Sequence, residues 1–488
     1  MTKDNNTSDQ FITIQEAAKL FNKSIHNISY LVQYSRINKF YKTENENIIN
    51  TKELKKTKLR INNSPLISLN ELQNYYDKIR KREEEIINNI PNCNRDLLFF
   101  DVPEKVRTKH VHRLHPYMGK FIPQLVEYYL SRNFEEGDLI LDPFVGSGTT
   151  LIEANVRGIK SIGMDISEFN CMIAAAKIKK YDLSLLKKEV YDIIKKSKAI
   201  YQEIKSRSSS RITSLDAFIT RKKKELSIQN YETVNPYLNK WFAPETIKQM
   251  LIYLSLIPRY NYENLLKVLL SRSVRSARLT FHFELTRLKE PIYEPYVCHK
   301  HKNKVCVPTQ SLFSFLERYS KDTIRRINEF SIVRTDQPYE IIIGDSGVMD
   351  LSKILSKKFN NHKIDGIITS PPYVGLINYH MQHIYAYELF NIEKRIEEEI
   401  GRQDLGTSIQ AKEDYKEGIA KVFKNLKLYL KPNAKLFIVA NDKWGLYPEI
   451  AELSGYKIVN RDERPVTKKA SRERSFYSET IFHFEPNN

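Results

Sequence analysis

A chain of 488 residues with 41% hydrophobic side chains is long enough for two or three domains and a sizeable core, which excludes a disordered product. A formal net charge of +19 points to a polyanionic partner, nucleic acid first and an anionic membrane surface second. The polar first residues hold no secretory signal, no apolar run approaches the roughly 18 residues that span a bilayer, and the 4 cysteines make no disulfide framework, so cytoplasmic residence is expected.

In chain order, Thr13 and Glu16 have capping-box spacing and open a short helix with Ala17, Leu20 and Phe21 on its apolar side. Ser24 can cap a second helix over 25–34, so the pair reads as a helix-turn-helix. This stretch resembles the small winged-helix modules of the excisionase and MerR type; a purely structural helical pair is the alternative. Ser68 and Glu71 repeat the capping spacing and open a longer helix whose charged run, 78–85, reads as a solvated face. Residues 1–90 form one expected domain and 91–109 a linker.

Residues 115–123 (His-Pro-Tyr-Met-Gly-Lys-Phe-Ile-Pro) precede a helix over about 124–131. The run 138–150, Asp-Leu-Ile-Leu-Asp-Pro-Phe-Val-Gly-Ser-Gly-Thr-Thr, then reads as strand, glycine turn and helix. Gly146 and Gly148 let the backbone approach a ligand, and the helix start beyond them presents free N–H groups. No Lys follows the glycines, so this is not a phosphate-binding Walker loop. Ile162-Gly163-Met164-Asp165 reads as a second strand ending in an acid, suited to both hydroxyls of a ribose.

Far downstream, Ile364 to Ile368 reads as a buried strand followed by Thr369-Ser370-Pro371-Pro372-Tyr373. Two prolines offer no N–H to a ladder, so the strand must stop and the chain leave in a rigid, extended loop. Its carbonyls can accept from an exocyclic amine, and Tyr373 offers a face for a flat ring.

Together these motifs resemble the amino-methylating DNA methyltransferases, which use S-adenosylmethionine and act on cytosine N4 or adenine N6. The resemblance covers about residues 110–180 and 336–484. It implies an α/β fold, the Rossmann-like class I methyltransferase: a doubly wound, mostly parallel sheet with an antiparallel last strand, a mainly helical insert and a small N-terminal helical domain. It implies that Phe144, Gly146 and Gly148 line the methionine end of the cofactor, that Asp165 takes its ribose, and that Asp345, after a strand over 340–343, sits near its adenine. Tyr117 and Lys120 of the 115–123 segment, with Asp142 and Thr149 beside the glycine turn, join the cofactor set. Ser370, Pro371, Pro372 and Tyr373 are the implied catalytic loop. A serine in the first loop position is more similar to the N4-cytosine enzymes; adenine N6 is the alternative. None of the 4 cysteines follows a proline, which removes the covalent C5-cytosine route. An RNA amino-methyltransferase and a non-catalytic DNA-binding regulator are the readings from other classes. Double-stranded DNA is the implied partner, a cognate restriction endonuclease is admitted as a companion, and no membrane is.

The methyltransferase halves are expected at 110–180 and 336–488. Between them, 181–335 is a basic insert expected to read the DNA target, with an apolar run over 250–257 suggesting a helical core of its own. Arg272, Arg275 and Arg278, three apart, are expected on one helix face for phosphate contacts. The family's usual insert follows the adenine-contacting acid; here it precedes Asp345. Cys298, His299, His301 and Cys306 have the side chains of a zinc knuckle, but the fourth ligand and the spacing are irregular, so no metal is expected. Tyr379, His380, His383 and Tyr385 are candidates for a base-pocket wall. A helix over 415–430, stopped by Lys431-Pro432-Asn433, precedes strands over 434–440, 456–459 and 480–484, and 468–474 forms a basic loop.

Overall fold

The computed structural model describes residues 9–21, 28–29, 31–32, 37–43, 47–50, 65–99, 102, 104–209, 231–282, 284–285, 290–298, 301, 303–467 and 476–487. The chain divides into two compact units: Met1–Arg95 with Arg464–Ser478, and Asp96–Glu463 with Glu479–Asn488.

In the first unit, strands β1 (Phe11–Thr13), β2 (Phe40–Lys42), β3 (Ile48–Asn50) and β4 (Leu66–Ser68) form a sheet in the order β1-β4-β2-β3. Thr13 caps the helix Ile14–Leu20, with its hydroxyl accepting from the Glu16 N–H and Glu16 reaching back to the Thr13 N–H. Ser68 accepts from the Glu71 N–H and starts the helix Leu69–Asn88. Ile12, Ala17, Ile67 and Leu72 share the small core. Of the expected second helix, residues 28–29 and 31–32 are described and helical; the rest, with Ser24, lies outside the described residues.

The second unit is built on a seven-stranded sheet in the order β12-β13-β11-β10-β5-β6-β9. Its members are β5 (Leu139–Asp142), β6 (Lys160–Asp165), β9 (Tyr339–Ile343), β10 (Ile364–Thr369), β11 (Leu430–Ala440), β12 (Tyr456–Thr467) and β13 (Phe476–Pro486). From β11 to β9 all neighbours are parallel, and β13 runs antiparallel to β11. The two-residue period of a strand decides what each face buries. Leu139, Leu141, Leu436 and Ile438 enter one core with Tyr415, Ile419 and Phe423, while Ile140, Phe437 and Val439 enter the other with Leu125, Val126 and Tyr129. This is the expected doubly wound sheet with its antiparallel strand. The strand order reverses between β5 and β10, where such sheets open a crevice at the carboxyl ends of the strands.

Two boundaries differ from expectation. The helix over the 415–430 stretch is Ile409–Lys427, and Lys431-Pro432-Asn433 lies inside β11. There the register passes from Ile364↔Leu430 to Gly366↔Lys435, so β11 bulges and Pro432 needs no ladder bond. The insert's apolar residues also form no cluster of their own. Among the described residues, Met250, Tyr253, Leu266 and Leu270 join one core with Val145, Phe169 and Ile173. The helices Pro244–Leu256, Glu263–Ser276 and Phe313–Val333 are thereby packed onto the cofactor half. No described helix is long and apolar enough to cross a membrane. The basic stretches at 210–230 and 468–475 lie outside the described residues.

Candidate active site

Strand β5 is buried along its whole length and stops at Asp142. The chain then turns through Pro143–Ser147 into the helix Thr149–Val156, which Gly148 caps in the left-handed region at φ 80°. Gly146 is also left-handed at φ 46°, and a Cβ on it would stand 2.9 Å from the Tyr117 hydroxyl. A Cβ on Gly148 would stand 2.9 Å from the Ala174 Cβ. Both positions therefore demand glycine, one for room at the turn and one for helix packing. The Val145 N–H donates to the Met164 carbonyl at 2.8 Å, and the Gly146 N–H to Asp165 Oδ2 at 2.9 Å, so the turn is pinned onto β6.

Asp165 ends β6 and accepts further from the Ser167 N–H at 2.9 Å and from Asn170 Nδ2 at 3.2 Å. Burial outweighs these donors and pushes its carboxyl up to about 6. Asp142 is likewise pushed up by burial to about 6. Beside β6, β9 ends at Ile343, and the Gly344 N–H donates to the Asp165 carbonyl at 3.0 Å. Asp345 follows at once, with Oδ1 accepting from the Gly347 N–H at 2.8 Å and Lys421 at 3.5 Å from Oδ2. Parallel pairing thus brings three acids to one edge of the sheet.

The proline loop reaches the same edge because β10 pairs with β5, Gly366 opposite Ile140 and Ile367 opposite Leu141. Two side-chain bonds lock this junction. The Thr369 hydroxyl donates to Asp142 Oδ1 at 2.6 Å, and the Thr150 hydroxyl to the Ile368 carbonyl at 3.1 Å. Ser370 and Pro372 emerge on the wall of a cleft of about 870 Å³, open mouth included, which Gly146, Asp165 and Asp345 also line.

Of the expected cofactor residues, Tyr117, Lys120, Asp142, Phe144, Gly146, Thr149, Asp165 and Asp345 line this cleft, whereas Gly148 acts from behind as a helix cap. Pro371 is buried, and Tyr373 does not line the cleft; its hydroxyl donates to Glu479 Oε1 at 3.2 Å. Tyr379 and His380 are on the wall, and Tyr385 is fully buried in the insert-side core. The residue missed by sequence reasoning is Glu399. Its carboxylate takes the His380 N–H at 2.8 Å and pairs with His380 Nδ1, and both side chains are nearly inaccessible on the cleft wall. It comes from a stretch of short 3-10 turns without periodicity, so nothing local marks it.

The donor set fits S-adenosylmethionine better than a nucleotide phosphate. Asp165 and Asp345 would repel a phosphate but suit ribose hydroxyls, an adenine amine and a cationic sulfonium. Phe144, Pro372, Ile400 and Val422 supply apolar wall, and the buried Ser147 hydroxyl has no protein partner among the described residues.

A second, larger cleft shares Tyr117 and Lys120 with the first. It is lined by Arg113, Arg272, Arg275 and Arg278, and no carboxylate is among its described lining residues. The expectation of all three arginines on one helix face is corrected here. The helix Glu263–Ser276 ends before Arg278, which bonds the Arg275 and Leu285 carbonyls instead. Arg272 is buried against Asp322 at 2.7 Å. Only Arg275 stands half-buried without a carboxylate among the described residues, its basicity lowered chiefly by burial. His383, pushed down to about 3 by burial and then by Arg275 and Arg278, faces this cleft as a neutral ring rather than the base-side wall.

A profile of the DNA methylase family matches residues 3–177. The chain is 41% identical to the type II methyltransferase M.MjaII of Methanocaldococcus jannaschii, over 97% of this chain and 96% of that one. It is 26% identical to the type II methyltransferase M.BsoBI of Geobacillus stearothermophilus, over 70% of this chain and 64% of that one. The type II methyltransferase M.MvaI of Kocuria varians is 24% identical over 62% of this chain and 59% of its own length.

Proposed function

The chain belongs to the amino-methylating DNA methyltransferases, with S-adenosylmethionine as methyl donor, and within that family we propose that it methylates the exocyclic N4 of a flipped cytosine in duplex DNA. The observation that carries this reading is the Thr369–Asp142 bond, which sets Ser370 and Pro372 on the wall that Asp165 and the glycine turn also form. Bound S-adenosylmethionine supplies an electrophilic methyl group on a sulfonium. The chain's own residues do the rest. Asp165 and Asp345 accept at the nucleoside end, and Tyr117, Phe144, Gly146 and Thr149 enclose the methionine end.

An exocyclic amine is a weak nucleophile because its lone pair delocalises into the ring. The Ser370 hydroxyl and the Pro371 carbonyl accept its N–H groups, which favours a pyramidal nitrogen and localises that pair. Positioning and fixed dipoles lower the barrier; no covalent enzyme intermediate forms. Extruding the base costs a few kcal/mol. Stacking on Tyr373 returns roughly 1–3 kcal/mol.

Serine at position 370 supports cytosine over adenine. Nucleoside analysis of DNA methylated by the pure protein is the test, with N4-methylcytosine the expected product. N6-methyladenine alone would transfer the same geometry to the adenine reading. Labelled-methyl transfer to duplex DNA in competition with RNA separates both from an RNA enzyme.

Residues 181–335 are assigned to target recognition on this reading, 1–90 to an accessory DNA-binding role, and a cognate restriction endonuclease is the expected companion. The arginine-lined cleft receives the DNA backbone, with Arg113 and Arg275 as cations that no carboxylate pairs among the described residues. Arg275→Gln is expected to weaken DNA binding and to lower the slope of log K against log salt by about 0.9. Titration at several salt concentrations measures this, and the affinity for S-adenosylmethionine should stay unchanged.

A further inference from the structure

We propose that His282, Cys298, His301 and Cys306 form a structural zinc site that clamps the β7–β8 hairpin onto the segment following the helix Glu263–Ser276. The hairpin strands are β7 (Tyr296–Cys298) and β8 (Lys304–Cys306), paired antiparallel with Tyr296 opposite Cys306 and Cys298 opposite Lys304. Residues two apart share a strand face, and directly opposed residues share it too. Cys298, Tyr296 and Cys306 therefore project from one side. The connecting turn carries His301, and the Asn303 N–H closes it on the Cys298 carbonyl at 3.1 Å. The fourth ligand that sequence spacing did not reveal is His282, 16 residues upstream of Cys298. Tyr296 places it: its hydroxyl accepts from the His282 N–H at 2.9 Å, and its ring packs on Phe281 at 4.8 Å.

One ligand atom from each of the four residues lies within 4.8 Å of all the others, and His301 Nδ1 is 3.1 Å from Cys306 Sγ. A tetrahedron with bonds of about 2.1–2.3 Å needs ligand atoms roughly 3.4–3.8 Å apart, so an ion draws them in by small side-chain motions. Two thiolates and two imidazoles in a closed set match zinc, and four protein ligands leave no position for a substrate. Binding releases both thiol protons.

Among the described residues, the hairpin's other face buries little. Val297, Val305 and Val307 are 54%, 71% and 62% exposed, and a two-stranded ribbon with so little core is marginal on its own. The other cluster of metal-binding side chain types among the described residues, His110, His112 and Glu153, differs in being closed already, with Lys109 on the Glu153 carboxylate at 2.8 Å.

The test is the metal content of the full-length protein, incubated with zinc chloride and dialysed against metal-free buffer. About one zinc per chain is expected, lost in Cys298→Ser and in Cys306→Ser and kept in Cys93→Ser. Because either cysteine variant could misfold, the wild type supplies an independent readout. Exchange to cobalt should give the visible bands of a tetrahedral cobalt–thiolate centre, and titration of the thiols with a mercurial should release the metal. A wild-type chain that retains no zinc overturns the proposal. So does zinc kept in both variants, or an intact mass two hydrogens short with no metal, which would mark a Cys298–Cys306 disulfide.

Discussion

Asp165→Ala is expected to weaken S-adenosylmethionine binding on the order of 100- to 1,000-fold, the loss of two hydrogen bonds to a charged acceptor. The substitution also strips the Gly146 N–H of its acceptor at 2.9 Å, so the glycine turn loses its tie to β6. Calorimetric titration of the cofactor measures the effect; unchanged affinity would remove Asp165 from the site. The elevated carboxyl adds a pH signature. A protonated Asp165 is a weaker acceptor for two hydroxyls than the carboxylate, and burial holds its carboxyl near 6, so cofactor affinity should fall as pH drops through about 6. Asp165→Asn should bind weakly with a flatter profile between about pH 5 and pH 8. Stability runs the other way. With the folded pKa raised from 3.8 to about 6, the native state holds more protons than the unfolded one in that window, and stability declines as pH rises through it.

Ser370→Ala is expected to lower kcat on the order of 100-fold, the usual cost of removing one preorganised polar group from a transition state. Cofactor affinity should hardly change, because the carboxylates and the glycine turn are untouched. The split between kcat and cofactor Kd is therefore the diagnostic, read by single-turnover methyl transfer beside equilibrium binding. Equal loss in both would mean that the substitution had disturbed the junction at Thr369 and not the chemistry.

Much of this site was legible in the sequence because its anchors are backbone demands. Gly146 and Gly148 sit at positive φ, where side chains are strained, and the prolines stop β10 where it must stop. Such requirements are local, and a single sequence displays them. What escaped notice depends on chain returning from afar. Glu399 meets His380 only because an aperiodic stretch folds back, and His282 meets Cys298 only through Tyr296. The arginines were misplaced for a related reason. The helix Glu263–Ser276 ends on Ala277, with no glycine or asparagine to announce its stop, so a three-residue spacing looked like one continuous face. Pro432 misled in the opposite direction, since a bulge excused it from the ladder and a stretch inside a strand was read as a helix end.

The position of β9 has a wider consequence. It is the outermost strand beside β6, so the long crossover from Asp165 to Tyr339 enters at the margin of the sheet and interrupts none of its inner pairings. Closing a connection eight times longer than a short one costs only roughly 2 kcal/mol in chain entropy. Packing of the inserted helices against the cofactor half can offset that. The length of this crossover can thus change without breaking a strand pairing at the β5–β10 crevice.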